Sequence, residues 1–131
     1  MPLDPKAQET KNWLEIAKKD LEADHQLLSK DEFSAQVCFF AQQAAEKAIK
    51  GFLVWQQLRF KKEHDIRYLG NIALQKDNSL QSVIDEAATL SPFAVTFRYP
   101  GESVDPSVED AKEALAIARK VLDAVIARLS F

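Results

Sequence analysis

One stretch of this chain, residues 36–52, is too apolar for a surface helix yet keeps a narrow polar edge. With 100° of rotation per residue, its apolar side chains cover most of the helix circumference. The polar edge consists of Gln36, Gln43, Lys47 and Lys50, with Glu46 at its border. A helix that is apolar on several faces belongs at the centre of a helical bundle or at a subunit contact. The polar edge is then the part of this helix that a ligand or a partner can reach.

The composition of the whole chain also favours helices. Only three of the 131 residues are glycine, so the chain lacks the turn residues that a fold rich in hairpins needs. The length predicts a single domain over residues 1–131, with a core that needs no covalent staple. The only cysteine, Cys38, cannot form an internal disulfide or a cysteine metal cluster. We therefore expect a buried, unreactive thiol, no metal and no cofactor.

The charge of the chain predicts no general affinity for anionic partners. The net charge of −3 at pH 7 gives no overall attraction to nucleic acid or to anionic membranes, so any such binding needs a local patch. No apolar run is as long as a membrane span, and the N-terminal residues do not resemble a signal peptide. These observations predict a cytoplasmic protein with no membrane partner.

Apolar spacing predicts an all-α protein, an up-and-down bundle of four main helices plus one short extra helix. The first helix is expected at about residues 5–28 and the second at about 32–57. Gly51 lies inside the second helix, where it points to the close approach of another helix. Two shorter helices are expected, one opening at 64–65 and one at about 80–90.

Three polar residues near the end of the first helix are expected on its surface. Asp20 and Asp24 lie one turn apart at the edge of the apolar stripe, where we expect both carboxylates to face solvent. A paired carboxylate site is the alternative. We also expect His25 to face solvent.

The segment 91–104 is expected to be irregular, because Pro92 and Pro100 prevent a continuous helix. Its aromatic residues are expected to pack over the bundle. The last helix then has clear start signals, with Asp105 offered as the cap and Pro106 at the first helical position.

Apolar residues follow in the last helix at spacings of three and four, which indicates a narrow packing seam. The seam consists of Val108, Ala111, Leu115, Ala118, Leu122, Val125 and Leu129. We expect it to pack against the second helix of the same chain. The alternative is coiled-coil oligomerisation, which would make the protein a scaffold.

Four segments, spread over nearly the whole chain, form a combination that resembles the HEPN family of small all-helical domains. They are 13–21, 38–50, 64–69 and 97–100. The most specific pair is Ala-Gln-Gln-Ala-Ala-Glu-Lys-Ala at 41–48 with Arg-Tyr-Pro at 98–100. The resemblance implies a helical bundle that is commonly dimeric. Many prokaryotic members are encoded beside a minimal nucleotidyltransferase and form toxin–antitoxin or related systems, so the resemblance also implies a homodimer with such a partner.

Some HEPN members are metal-independent endoribonucleases that use an Arg followed four to six residues later by a His, while others bind nucleotides or RNA. Arg59 and His64 match that spacing. In such an enzyme His64 is a general acid or base toward a ribose 2′-hydroxyl or a leaving oxygen, and Arg59 stabilises the phosphate charge. The nuclease members usually have a polar residue after the Arg and a Tyr two residues after the His, where this chain has Phe60 and Ile66. The sequence therefore favours the alternative that His64 caps or packs at the start of the third helix.

The polar edge of the second helix offers a different candidate site. Gln43, Glu46, Lys47 and Lys50 are expected to line one cleft together with Arg98 and Tyr99. In that cleft the cations bind phosphate, the Tyr side chain stacks on a base, and the Gln side chain contacts a polar base edge. The alternative is structural: Glu46 and Lys50 pair within the helix, and Arg98 bridges to Asp20 or Glu46.

The leading prediction is thus a cytoplasmic, non-catalytic HEPN-type dimer that binds nucleotide, RNA or a nucleotidyltransferase partner. The alternatives are a metal-independent ribonuclease toxin and a pure scaffold.

Overall fold

The computed structural model of the chain describes residues 4–96 and 106–130. In this part of the chain every regular element is helical, which confirms the predicted all-α class. The helices are α1 (Pro5–Leu28), α2 (Ser34–Trp55), α3 (Ile66–Lys76), α4 (Gln81–Ala88), α5 (Phe93–Thr96) and α6 (Val108–Ile126). None of these helices has both the length and the apolar character that crossing a membrane requires.

Helix α1 has the predicted bounds. The Asp4 carboxylate accepts a hydrogen bond from the Ala7 amide at 2.7 Å, and Pro5 occupies the first helical position, where its missing N–H has no cost. Four apolar residues at helical spacing face the core: Ala7, Leu14, Ala17 and Leu21.

Helix α2 is the central element and is buried on several faces. It runs antiparallel to α1, because Lys6 near the start of α1 lies over Trp55, whereas Asp20 further along α1 pairs with Lys47. A Cβ added at Gly51 would lie 3.3 Å from side-chain atoms of α1. This close approach explains the glycine, as the sequence suggested.

Helix α6 packs on α2 and runs parallel to it. Ile49 and Phe52 of α2 line a small apolar gap together with Val121 and Val125 of α6, so the later halves of the two helices meet. Five of the seven seam residues are buried, and Val108 and Leu129 at its ends are half-buried. The seam is therefore used inside the chain.

The start of α6 differs from the prediction. The helix begins at Val108 and its cap is Ser107, whose hydroxyl accepts from the Asp110 amide at 3.0 Å. The Asp110 carboxylate accepts from the Ser107 amide at 3.0 Å, which completes a reciprocal capping box. This pair satisfies two backbone amides, so Pro106 lies before the helix and not at its first position. The predicted cap, Asp105, lies outside the described residues.

Two shorter helices complete the bundle. Asp65 caps α3 by accepting from the Arg67 amide at 2.9 Å, so the expectation that His64 caps this helix is wrong. Helices α3 and α4 pack closely, because a Cβ added at Gly70 would collide with Ile84.

Two further expectations were wrong. The segment expected to be irregular begins with a helical turn, α5, and its remainder, 97–105, lies outside the described residues. Asp24 does not face solvent but is fully buried, because it continues the stripe of Ala17 and Leu21 at helical spacing. His25 is exposed and Cys38 is buried, as expected.

Candidate functional site

Four polar residues from α2 and the loop before α3 meet around one buried carboxylate. We call them the Glu46 cluster: Gln42, Glu46, Lys50 and His64. Glu46 is only 2% exposed, and its Oε2 accepts from Lys50 Nζ at 3.0 Å. The same oxygen lies 3.0 Å from His64 Nδ1, and Oε1 accepts from Gln42 Nε2 at 3.3 Å. Both carboxylate oxygens thus have a protein donor close by, one at Oε1 and two at Oε2.

Lys50 is held inside the cluster. Its side chain is buried, and besides its bond to Glu46 its ammonium lies 5.5 Å from the centre of the Trp13 ring. A carboxylate and an aromatic face both stabilise a desolvated cation. The expected pairing of Glu46 with Lys50 along the helix is therefore present, and the charge of this ammonium is already compensated by a carboxylate.

Lys47, the other lysine of the polar edge, has a partner on α1. Its Nζ lies 2.9 Å from Asp20 Oδ2, and both side chains are largely covered. Gln43 donates from Nε2 to Gln42 Oε1 at 2.7 Å. The cations of the polar edge are thus neutralised within the bundle. Arg98 and Tyr99, which were expected to complete the cleft, lie outside the described residues.

Gln42 was missed by the sequence analysis. It is fully buried, and its Nε2 donates to the backbone oxygen of His64 at 3.2 Å, which fixes the position of that residue on α2. Its spacing of four residues from Glu46 and eight from Lys50 was a usable signal, because three polar residues on one line of a central helix predict a network.

His64 is exposed to solvent over 68% of its side chain, although one edge of its ring touches the buried Glu46. A carboxylate only accepts hydrogen bonds, so this contact favours the tautomer with the proton on Nδ1. Nε2 is then free to accept a proton from a bound molecule. This is the arrangement in which a carboxylate orients a general base.

The residues before His64 form a short basic loop, the His64 loop, which spans 58–65. Its first residue and its middle are anchored, because the Leu58 amide donates to the Leu53 carbonyl at 2.9 Å and the Lys61 amide donates to the Tyr68 hydroxyl at 3.0 Å. Three cations of the loop make no ion pair with a described side chain: Arg59, Lys61 and Lys62. Arg59 makes no hydrogen bond to His64.

A second buried carboxylate, Asp24, has quite different surroundings. Neither of its oxygens has a hydrogen-bond partner, and burial together with the neighbouring Asp20 charge raises the pKa of Asp24 to about 8. Burial, Asp110 and Asp24 raise the pKa of the Cys38 thiol to about 12, so this cysteine is no nucleophile at neutral pH. Within the described ranges no three His, Cys, Asp or Glu side chains lie close enough to hold a metal ion.

Comparison with known proteins agrees with this architecture. The family model of the HEPN domain matches residues 10–129. The chain therefore belongs to the HEPN family, as its motifs indicated. The crystal structure of ST0689, described as an archaeal HEPN homologue, superposes with a TM-score of 0.75 at 26% identity and covers 93% of this chain and 98% of that chain. No curated protein matches the chain.

Proposed function

We propose that this HEPN protein binds RNA, and that it does so through the His64 loop. The observation that carries the proposal is a difference in charge compensation. Lys47 and Lys50 of the polar edge each have a carboxylate within 3.0 Å, whereas the three cations of the loop are exposed and make no ion pair within residues 4–96 and 106–130. Phosphate groups bind to cations that are free to give up water and counterions.

Because the net charge of the chain is negative, RNA binding needs a local basic patch, and the His64 loop is such a patch. Besides its three cations the loop contains two carboxylates, Glu63 and Asp65. The Asp65 side chain already accepts a hydrogen bond from the backbone of α3. The position of the patch is defined, because its backbone is anchored at Leu58 and Lys61 and Gln42 holds His64 against α2. A pre-positioned patch loses less conformational entropy on binding than a free tail does.

Fluorescence anisotropy with a labelled single-stranded RNA of about 20 nucleotides tests this proposal, with a triple variant of Arg59, Lys61 and Lys62 to Ala. The affinity should fall about tenfold or more. The slope of log affinity against log salt concentration should become shallower by about 2, because each lost phosphate contact contributes about 0.7 for single strands. The matched control removes three exposed lysines elsewhere, Lys11, Lys76 and Lys112. Equal losses of RNA affinity in the triple variant and its control would show non-specific attraction instead. If only Lys47→Ala lost affinity, the RNA site would be at the polar edge of α2.

A second candidate function, metal-independent RNA cleavage, is favoured by the contact between His64 and Glu46. In this reaction Nε2 takes the proton of a ribose 2′-hydroxyl, and the 2′-oxygen attacks the adjacent phosphorus. The bond from phosphorus to the 5′-oxygen breaks, the leaving oxygen takes a proton from water, and a 2′,3′-cyclic phosphate remains. Arg59 would offset the charge that develops on the phosphate.

Incubation of purified protein with mixed RNA in EDTA tests the second candidate. Cleavage should appear in the wild type and fall about 10²- to 10⁴-fold in His64→Ala, because a positioned acid or base contributes that much. Glu46→Gln should also lower the rate, because an amide can donate to Nδ1 and so no longer fixes the tautomer with the proton on Nδ1. If wild type and His64→Ala leave the RNA equally intact, only binding remains.

The family membership supports further proposals about assembly and context. We propose a single domain that forms a cytoplasmic homodimer with a minimal nucleotidyltransferase as its partner, within a toxin–antitoxin or related system. Sedimentation of the purified protein tests the homodimer. Co-purification with a nucleotidyltransferase encoded beside the gene tests the partner. A dimer that places both His64 loops in one groove would favour cleavage, whereas loops on opposite sides would favour binding alone.

A further inference from the structure

A groove between α1 and α6 has no role in the proposal above. It is open along one side, has a volume of about 760 Å³ and shares no lining residue with the Glu46 cluster or the His64 loop. Its floor includes the buried apolar residues Leu21 of α1 and Leu122 of α6. Two adjacent helices with apolar side chains at the bottom of the groove between them form the type of groove that accepts a third helix.

The rim of this basic groove is positively charged. Lys18, Lys19 and Arg119 are exposed along it, and the only carboxylate in the lining is that of Glu22. The formal charge is therefore +2, opposite in sign to the net charge of the whole chain. None of these cations makes an ion pair with a described side chain, so their charge is available to a partner.

Each of the two lining helices also carries one exposed isoleucine. Ile16 and Ile126 are the most exposed large apolar residues of the described chain, at 43% and 40%. Ile16 lies one helical turn before Lys19 on the line that Ala23 continues, and Ile126 lies one turn after Leu122, so each isoleucine extends a line of lining residues. Since α1 runs antiparallel to α2 and α6 runs parallel to it, both isoleucines lie toward the same end of the bundle.

We propose that the basic groove docks an acidic amphipathic helix of another protein. The stretch of α1 from Ile16 to Gln26 is about 15 Å long at 1.5 Å per residue, which suits two to three turns of a bound helix. The apolar face of that helix covers the floor and the two isoleucines, while its carboxylates face the lysines and Arg119. RNA offers no such apolar face for aliphatic side chains, and a two-fold dimer through this face would place one positively charged groove against the other.

A display library of helical peptides of about 18 residues tests this inference. The library keeps leucine at positions i, i+3, i+4 and i+7 and varies the remaining positions among Glu, Gln and Lys. Selection on the wild-type protein should enrich Glu over Lys. Enrichment of Lys, or no enrichment, overturns the proposal.

Variants locate the selected peptides on the surface. The double variant Lys19→Glu/Arg119→Glu should bind them about tenfold more weakly or worse, and Ile16→Ser/Ile126→Ser should also weaken binding, because both charge and apolar contact contribute. The control Lys11→Glu/Lys112→Glu changes the same net charge on the same helices outside the groove and should bind normally. All six positions are exposed, so circular dichroism should show an unchanged fold.

Two competing occupants have distinct outcomes. If a single-stranded RNA displaces the peptide and itself loses affinity in the groove variant, the groove is an RNA site and the proposal is wrong. If sedimentation shows a dimer that only the groove variant breaks, the occupant is a second copy and the proposal is again wrong. Because the His64 loop is intact in all of these variants, its RNA binding can fail or succeed independently.

Discussion

The two buried carboxylates of this protein, Glu46 and Asp24, have opposite surroundings. Glu46 is 2% exposed and lies within 3.3 Å of three donors, whereas Asp24 is fully buried and has no hydrogen-bond partner among the described residues. Desolvation of a carboxylate costs several kcal/mol unless a partner compensates it. In the Glu46 cluster a cation, an imidazole and an amide compensate the cost of desolvation, while Asp24 avoids that cost by staying protonated. The charge of a buried acid is thus decided by its neighbours.

The largest effect is expected for Lys50→Met, which leaves Glu46 buried without its cation. Removing one partner of a buried ion pair typically costs about 3–5 kcal/mol, and we expect a loss of this size in the free energy of unfolding. Urea denaturation followed by circular dichroism measures it. A loss below about 1 kcal/mol would mean that water enters the cluster and replaces the ammonium.

The opposite sign is expected for Asp24→Leu, which removes an uncompensated polar group of similar size. The gain in stability should be about 2 kcal/mol at pH 7. It should grow with pH, because the native carboxyl binds its proton up to a pKa of about 8, while the unfolded chain releases it near 3.8. Rising pH between these values therefore destabilises the wild type.

Denaturation curves of wild type and Asp24→Leu between pH 4 and 9 test this linkage. The two stabilities should converge toward pH 4 and diverge as the pH rises. A constant difference across this range would show that Asp24 is ionised in the folded protein at all these pH values. Asp24→Asn is the matched control, since it keeps the shape and a polar group but cannot ionise.

A smaller effect is expected for His64→Ala, because His64 is an exposed partner of Glu46 and Lys50 stays in place. The loss of one hydrogen bond to a charged group should cost about 1–2 kcal/mol at most. Thermal unfolding compared with His25→Ala, an exposed histidine without a carboxylate partner, isolates this contribution. A cost as large as that of Lys50→Met would make His64 the main partner of Glu46.

The smallest effect is expected for Lys47→Met, which breaks the pair with Asp20. Both side chains retain some contact with water, 22% and 17%, so the loss should be about 1 kcal/mol or less. Added salt should reduce the difference between wild type and variant further. A large loss of stability that does not depend on salt would show that this pair behaves like the buried ion pair of the Glu46 cluster.

The fold could be predicted because its signals are local. The predicted bounds of α1, about 5–28, match the observed helix, and the apolar face of α2 placed that helix at the centre. Local signals also misled: Asp105-Pro106 resembles a helix start, but the reciprocal bonds of Ser107 and Asp110 stabilise the observed one. Asp24 lay on the apolar stripe, and its position was a better guide to burial than its polarity.

The candidate site could be predicted only in part. Glu46 and Lys50 are one helical turn apart, so their pairing followed from spacing alone. The contact of His64 with Glu46 joins residues 18 positions apart through a loop whose path has no periodic signal. Likewise, the unpaired state of the loop cations depends on which carboxylates the tertiary fold brings near, and no spacing rule contains that information.

The ammonium beside the Trp13 ring gives the Glu46 cluster an optical reporter. The chain has two tryptophans, and the other, Trp55, lies under Lys6 with 4.3 Å between the ammonium and the ring centre. A nearby positive charge shifts the emission wavelength of indole, so any movement of Lys50 changes the fluorescence of Trp13. With Trp55→Phe as the background, a spectrometer can follow the electrostatics of this buried network without a label.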